Sequence, residues 1–186
     1  STGCSLAFRT KASASGPSSM GINRSRGRLL YFMRQYDRAI EHYRKIVELD
    51  PSVGTNHWSL ARTYELKGMY AEAIEGYAKY NDIIRLFRPE EMQQYREIVR
   101  SSGWHVFAQK IAADMEEKSK KEYVSPVVLA KVFARADDRD RAFAWLEKAF
   151  EARDPGLVRL KMEPLYDNLR SDPRYIDLLR RMNLTP

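Results

Sequence analysis

The side chains that could do chemistry are few, and the most regularly placed are arginines. Arg28, Arg62 and Arg96 recur at steps of 34 residues. A guanidinium is a planar fork of donors that holds a carboxylate through two parallel bonds. A row of them would therefore suit an acidic ligand better than a reaction. Catalytic signatures do not occur: there is no Gly-x-Ser-x-Gly, no Ser-x-x-Lys, no cysteine pair and no phosphate-cradling glycine loop. His42, His57 and His105 share no ligand-like spacing, and His57 beside Trp58 reads as packing or surface. Glu116-Glu117 and Asp137-Asp138 read as solvated acids at helix ends. No catalytic residue, metal site or cofactor is expected from these patterns.

Composition narrows the setting. The chain has 186 residues, 44% of them hydrophobic, enough for a buried core in one domain with a tail. No run approaches the roughly 18 apolar residues of a membrane-spanning helix. The single cysteine, Cys4, excludes an internal disulfide framework and suits a reducing compartment, so a cytoplasmic location is expected. The net charge is +7, but no acidic residue precedes Asp37, whereas Arg9, Lys11, Arg24, Arg26, Arg28 and Arg34 all do. The remaining bases nearly balance the 25 acids. The basic balance thus describes a leader and does not point to a nucleic-acid-binding fold. Residues 1–19, rich in Ser, Ala and Gly, read as a flexible basic leader or an expression remnant.

The arginine spacing implies elements that repeat. Tyr36, Ala39, Ile40, Glu41, Tyr43 and Lys45 meet identical residues 34 positions on, at Tyr70, Ala73, Ile74, Glu75, Tyr77 and Lys79. A fixed period of this length marks a helical repeat array. Residues 37–49 carry one apolar stripe, with Tyr36, Ala39, Ile40, Tyr43, Ile46 and Val47 on one helix face. Asp50-Pro51 ends it. Helices over 57–67 and 70–86 repeat the pattern around Gly68. Pro89 opens another, closed by Ser101-Ser102-Gly103, whose partner carries Trp104, Phe107, Ile111 and Met115. Ser125 reads as an N-cap before Pro126. Helices follow around Phe133 and Trp145, then a short element near Leu165 and a last helix after Asp172-Pro173. No stretch alternates as a strand would.

These residues resemble the tetratricopeptide repeat, in which each unit is two antiparallel helices with small residues at the closest approach. Counting from Met20, Gly27, Leu30, Ala39, Tyr43 and Pro51 take the eighth, eleventh, twentieth, twenty-fourth and thirty-second places. Counting from Gly54, Leu60, Ala61, Tyr64, Ala73 and Tyr77 take the seventh, eighth, eleventh, twentieth and twenty-fourth. The implied fold is all-α, with antiparallel helical hairpins stacked as an α-solenoid. It divides into repeats at 20–53 and 54–87, a degenerate hairpin at 88–122, a repeat-like hairpin at 123–156 and capping helices at 157–186. The end of the chain is similar to arrays that close bacterial multidomain regulators.

The resemblance also implies a binding face. In such arrays the first helix of each pair lines a concave groove, which here would present Arg24, Arg28, Tyr31, Phe32, Trp58, Arg62, Glu65, Lys131 and Arg135. The expected function is a protein–protein interaction scaffold taking a partner peptide, acidic or with a C-terminal carboxylate. Self-association through Leu29, Phe32 and Tyr36 of the first hairpin is a further expectation. The alternatives are a hydrolase with an unrecognised Ser/His site and nucleic-acid contact through the Arg-rich leader.

Overall fold

Ala39, Ile40, Tyr43 and Ile46 fall at helical spacing, and all four are buried on one face of the helix Tyr36–Leu49. The same logic builds the rest of the chain. The computed structural model describes residues 17–185, with side chains from Arg24 onward. Helices α1 (Pro17–Phe32) and α2 (Tyr36–Leu49) form a first hairpin, and α3 (Gly54–Leu66) and α4 (Tyr70–Ile84) a second. A third unit is α5 (Pro89–Ser119). A further hairpin is α6 (Pro126–Arg135) and α7 (Arg139–Glu151). Two 3-10 segments follow, Pro155–Arg159 and Pro164–Leu169, then α8 (Pro173–Arg181). Among the described residues there is no strand, and consecutive helices pack against each other, as in an all-α helical-repeat solenoid. Most of the stretch read as a leader, Cys4 included, lies outside the described residues. Helix α1 begins at Pro17, inside that stretch.

The hairpins close where side chains are smallest. A Cβ on Gly76 of α4 would stand 2.8 Å from Cβ of Ala61 in α3 and 3.2 Å from its Cα. A Cβ on Gly27 of α1 would meet the ring of Tyr43 at 2.7 Å. Gly27, which weakens the helix as a sequence, thus lets the Tyr43 ring lie close against α1. Ala39, Ala73 and Ala142 are fully buried at the equivalent contacts of the second helices.

Helix α5 is continuous in name only. Gly103 sits at φ 86° and ψ 175°, a backbone open to glycine alone. The hydroxyl of Tyr95 donates to Asp114 Oδ2 at 2.7 Å, and the Tyr95 ring lies 5.7 Å from that of Phe107. In a straight helix residues 95 and 114 would be about 28 Å apart. The chain therefore folds back at Gly103, and residues 89–102 and 104–119 are the two arms of a hairpin. Helix α4 stops at Ile84, short of the expected 86, because Arg85 turns to φ 53°. The Asn81 amide then takes both backbone groups of Phe87, at 2.8 and 2.9 Å.

Beyond α7 the chain changes character. Ser125 occupies the N-cap of α6 but does not cap it, contrary to the sequence expectation. Its hydroxyl donates instead to Asp154, whose carboxylate also accepts from Gly156 N at 2.8 Å. Asp154 thus ties the start of α6 to the turn after α7. From there the 3-10 segments run back over α6, burying Leu157, Leu160, Leu165, Tyr166 and Leu169. Each fully buried leucine contributes about 1.5–3 kcal/mol by the area it removes from water. Helix α8 packs on α7 with Tyr175, Leu178 and Leu179. The segment after α7 therefore does more than terminate the array: it crosses to the end of α1, where Arg34 holds Asp167 through two bonds of 2.6 and 3.0 Å.

Candidate functional site

Three of the first helices, α1, α3 and α6, face one another, and the segment Pro164–Leu169 lies among them. Its N-cap, Glu163, is 1% exposed and accepts from Leu165 N. The carboxylate meets one group from each helix. Tyr31 of α1 donates its hydroxyl at 2.6 Å, Arg62 of α3 donates through Nη2, and Nζ of Lys131 in α6 stands 3.7 Å away. Burial alone would push the Glu163 carboxyl up, but Arg62 and Lys131 outweigh it and hold the group below the usual carboxylate range.

Arg62 is the hub. Its guanidinium lies 4.6 Å from the centre of the Tyr31 ring and 4.2 Å from that of Trp58, so two aromatic rings flank it. Nη2 also donates to the Tyr31 hydroxyl, while Nε is buried without a partner among the described residues. Lys131 has no such support. Burial, then the nearby Arg62, lower its pKa, because one carboxylate serves two cations. Burial raises the Tyr31 hydroxyl well above its ordinary value, so it remains a donor at physiological pH.

A second cluster lies one turn along. Arg135 Nε is 2.7 Å from Glu65 Oε1, and the Tyr77 hydroxyl donates to Glu65 Oε2 at 2.7 Å. Arg135 Nη2 also reaches that hydroxyl at 3.0 Å. This group is internally matched, one cation to one carboxylate.

The residues singled out from the sequence thus fall into two sets. Tyr31, Arg62, Glu65, Lys131 and Arg135 sit in these ionic clusters at the base of the concave face. Arg24 and Arg28 are exposed, with Phe32 and Trp58 half-buried beside them. Arg24, Arg28, Phe32, Trp58 and Arg62 line one cleft of about 410 Å³, together with Arg159 from the first 3-10 segment. Arg96, on the same 34-residue spacing, lies apart and holds Glu75 of α4 at 2.9 and 3.0 Å. Glu163 and Arg159 escape sequence reading. The local sign for Glu163 is an acid directly before proline, which marks the start of a turn but not its destination.

Other chemistry stays local. His57 Nε2 lies 2.9 Å from the Pro51 carbonyl, and His105 Nε2 lies 3.1 Å from the Gln109 amide nitrogen. Among the described residues no three His, Cys, Asp or Glu side chains converge as a metal site. Nor is any helix among them long and apolar enough to cross a membrane.

Hairpins of this length, joined through Gly and Ala contacts and lining a groove with their first helices, define a helical-repeat protein. The profile of the tetratricopeptide repeat matches residues 22–53, so the first hairpin is such a repeat, and the hairpins after it are consistent with the same construction. Neither a curated protein nor a solved structure matches the chain. Tetratricopeptide domains generally bind proteins or peptides and are typically non-enzymatic, which suggests an interaction scaffold.

Proposed function

We propose that the concave cleft beside Trp58 receives an acidic peptide segment of a partner protein, and that the chain is the regulatory part of a bacterial signalling or transcription protein. The observation that carries the peptide reading is a charge imbalance. Arg34, Arg96, Arg174 and Arg181 each hold a carboxylate. Arg24, Arg28 and Arg159, which line the cleft, have no carboxylate partner among the described residues. Residues 1–36 carry no acid, so those residues cannot neutralise them. An extended acidic segment can, through bidentate pairs, with Phe32 and Trp58 as flat walls. The regulatory setting rests on the sequence resemblance of residues 123–184 to the ends of bacterial regulators.

Calorimetry with a synthetic Asp/Glu-rich dodecapeptide tests the site. The parent is expected to bind it, and the exposed-surface variant Arg24→Glu/Arg28→Glu/Arg159→Glu to lose at least about tenfold in affinity, since two or three charge-assisted contacts go at once. Equal affinity in the two proteins, or none in the parent, removes the reading.

A further inference from the structure

A second cleft, of about 590 Å³, adjoins the first and shares two wall residues with it, Trp58 and Arg62. Its character is different. The walls come from Ile84 of α4, Met92 and Met115 of the two α5 arms, Val128 and Val132 of α6, and Leu165. Three apolar side chains on its lining stand open to solvent: Ile84 is 42% exposed, Val128 40% and Tyr123 87%. Large apolar groups left exposed together around a concavity are the usual mark of a surface that is covered in use. Besides Arg62, its lining carries Lys118, which Glu122 on the same lining pairs at 2.8 Å, and Lys131 and Arg135 of α6. Arg135 is matched by Glu65, but Lys131 shares Glu163 with Arg62, so the positive excess of the first cleft extends into the second.

We infer that one peptide occupies both clefts: its acidic residues lie against Arg24, Arg28 and Arg159, the chain crosses Trp58, and a bulky apolar side chain enters the second cleft. The recognised segment is therefore a run of acids joined to a large aliphatic or aromatic residue, and acidity alone is insufficient. This rests on the peptide reading of the first cleft. Continuity of the two concavities at Trp58 and Arg62 makes one ligand the economical occupant. The uncompensated charge around it selects an anionic one, and the apolar lining gives that ligand an anchor, as buried apolar groups do at the centres of interfaces.

Fluorescence anisotropy with labelled synthetic peptides tests it. One pair carries four acids, a Gly-Gly spacer and Leu-Phe; the control has Ser-Ser in place of Leu-Phe. Each is made in both chain directions. In at least one direction the Leu-Phe peptide is expected to bind about tenfold or more tighter than its Ser-Ser control, the worth of burying one large apolar side chain. Val128→Glu and, separately, Ile84→Glu, both at exposed positions, should abolish that preference while leaving binding of the Ser-Ser peptide within about twofold. Arg28→Glu should weaken both peptides alike. Equal binding of Leu-Phe and Ser-Ser peptides, or a preference that survives both glutamates, overturns the anchor and leaves the acidic-peptide reading standing. Failure of every peptide to bind overturns both.

Discussion

Replacing Glu163 by glutamine tests the ionic hub directly. The substitution keeps the shape and leaves a carbonyl that can accept from Tyr31 or Arg62, but it removes the single negative charge among Tyr31, Arg62 and Lys131. Lys131 can relieve itself by shedding its proton, since its pKa is already lowered by burial and by Arg62. Arg62 cannot: guanidinium stays charged, and this one is buried between two rings. The cost is that of stranding one buried cation, about 3–5 kcal/mol. In urea, with a slope of about 2 kcal/mol per molar, the midpoint should fall by about 1.5–2.5 M at neutral pH. The pH dependence supplies a second readout. The folded-state pKa of Glu163 lies below its ordinary 4.5. Its contribution is therefore complete above that value and is lost as pH falls through the folded-state pKa. The gap between parent and Glu163→Gln should be full at pH 7 and shrink on acidification below about 4.5. Adding Arg62→Met to Glu163→Gln should recover part of the loss, because an apolar replacement removes the stranded charge. A Glu163→Gln variant within about 0.5 kcal/mol of the parent at pH 7, a range ordinary for surface changes, would refute the account of Glu163 as the counter-ion of the groove.

Three further outcomes follow from the packing. Gly103→Ala meets no atom within 4 Å, so any loss is backbone strain; about 1–3 kcal/mol is expected by denaturant titration. Gly76→Val drives a side chain into Ala61 backbone and should lower stability by about 1–3 kcal/mol, seen as a lower melting temperature. Arg34→Ala removes both bonds to Asp167, yet both side chains are more than 40% exposed, so the loss should stay below about 1 kcal/mol in the same melt.

The helical hairpins were legible because their cause is local and periodic. Of the six identical pairs 34 residues apart, Ala39 and Ala73, and Ile40 and Ile74, are buried at matching places of the second helices. Gly103 announced its turn for the same reason: only its own backbone needs it. Ser125 was misread in part, since a serine before proline looks like a cap whatever lies 29 residues on. Glu163 was beyond reading. Its partners Arg62 and Tyr31 are 101 and 132 positions away. No period links a carboxylate in a 3-10 turn to a row of arginines on earlier helices. Knowing the fold, one could expect Arg28 and Arg62 on one face. Nothing in their spacing says that Arg62 meets the Glu163 carboxylate and that Arg28 meets none among the described residues.

The bond from the end of α1 to the 3-10 segment also bears on how the chain folds. An array of hairpins in contact only with its neighbours behaves as a row of dominoes: it can start anywhere, and its ends fray first. Here Arg34 and Tyr31 are joined to Asp167 and Glu163 across most of the sequence. The row is fastened end to end. Such contacts raise the mean sequence separation that folding must close, which slows the search, and they couple the first hairpin to the last. Fraying of either end then disturbs the other. Hydrogen exchange should report one cooperative unit from α2 to α8, where an open array would show protection falling away towards its tips.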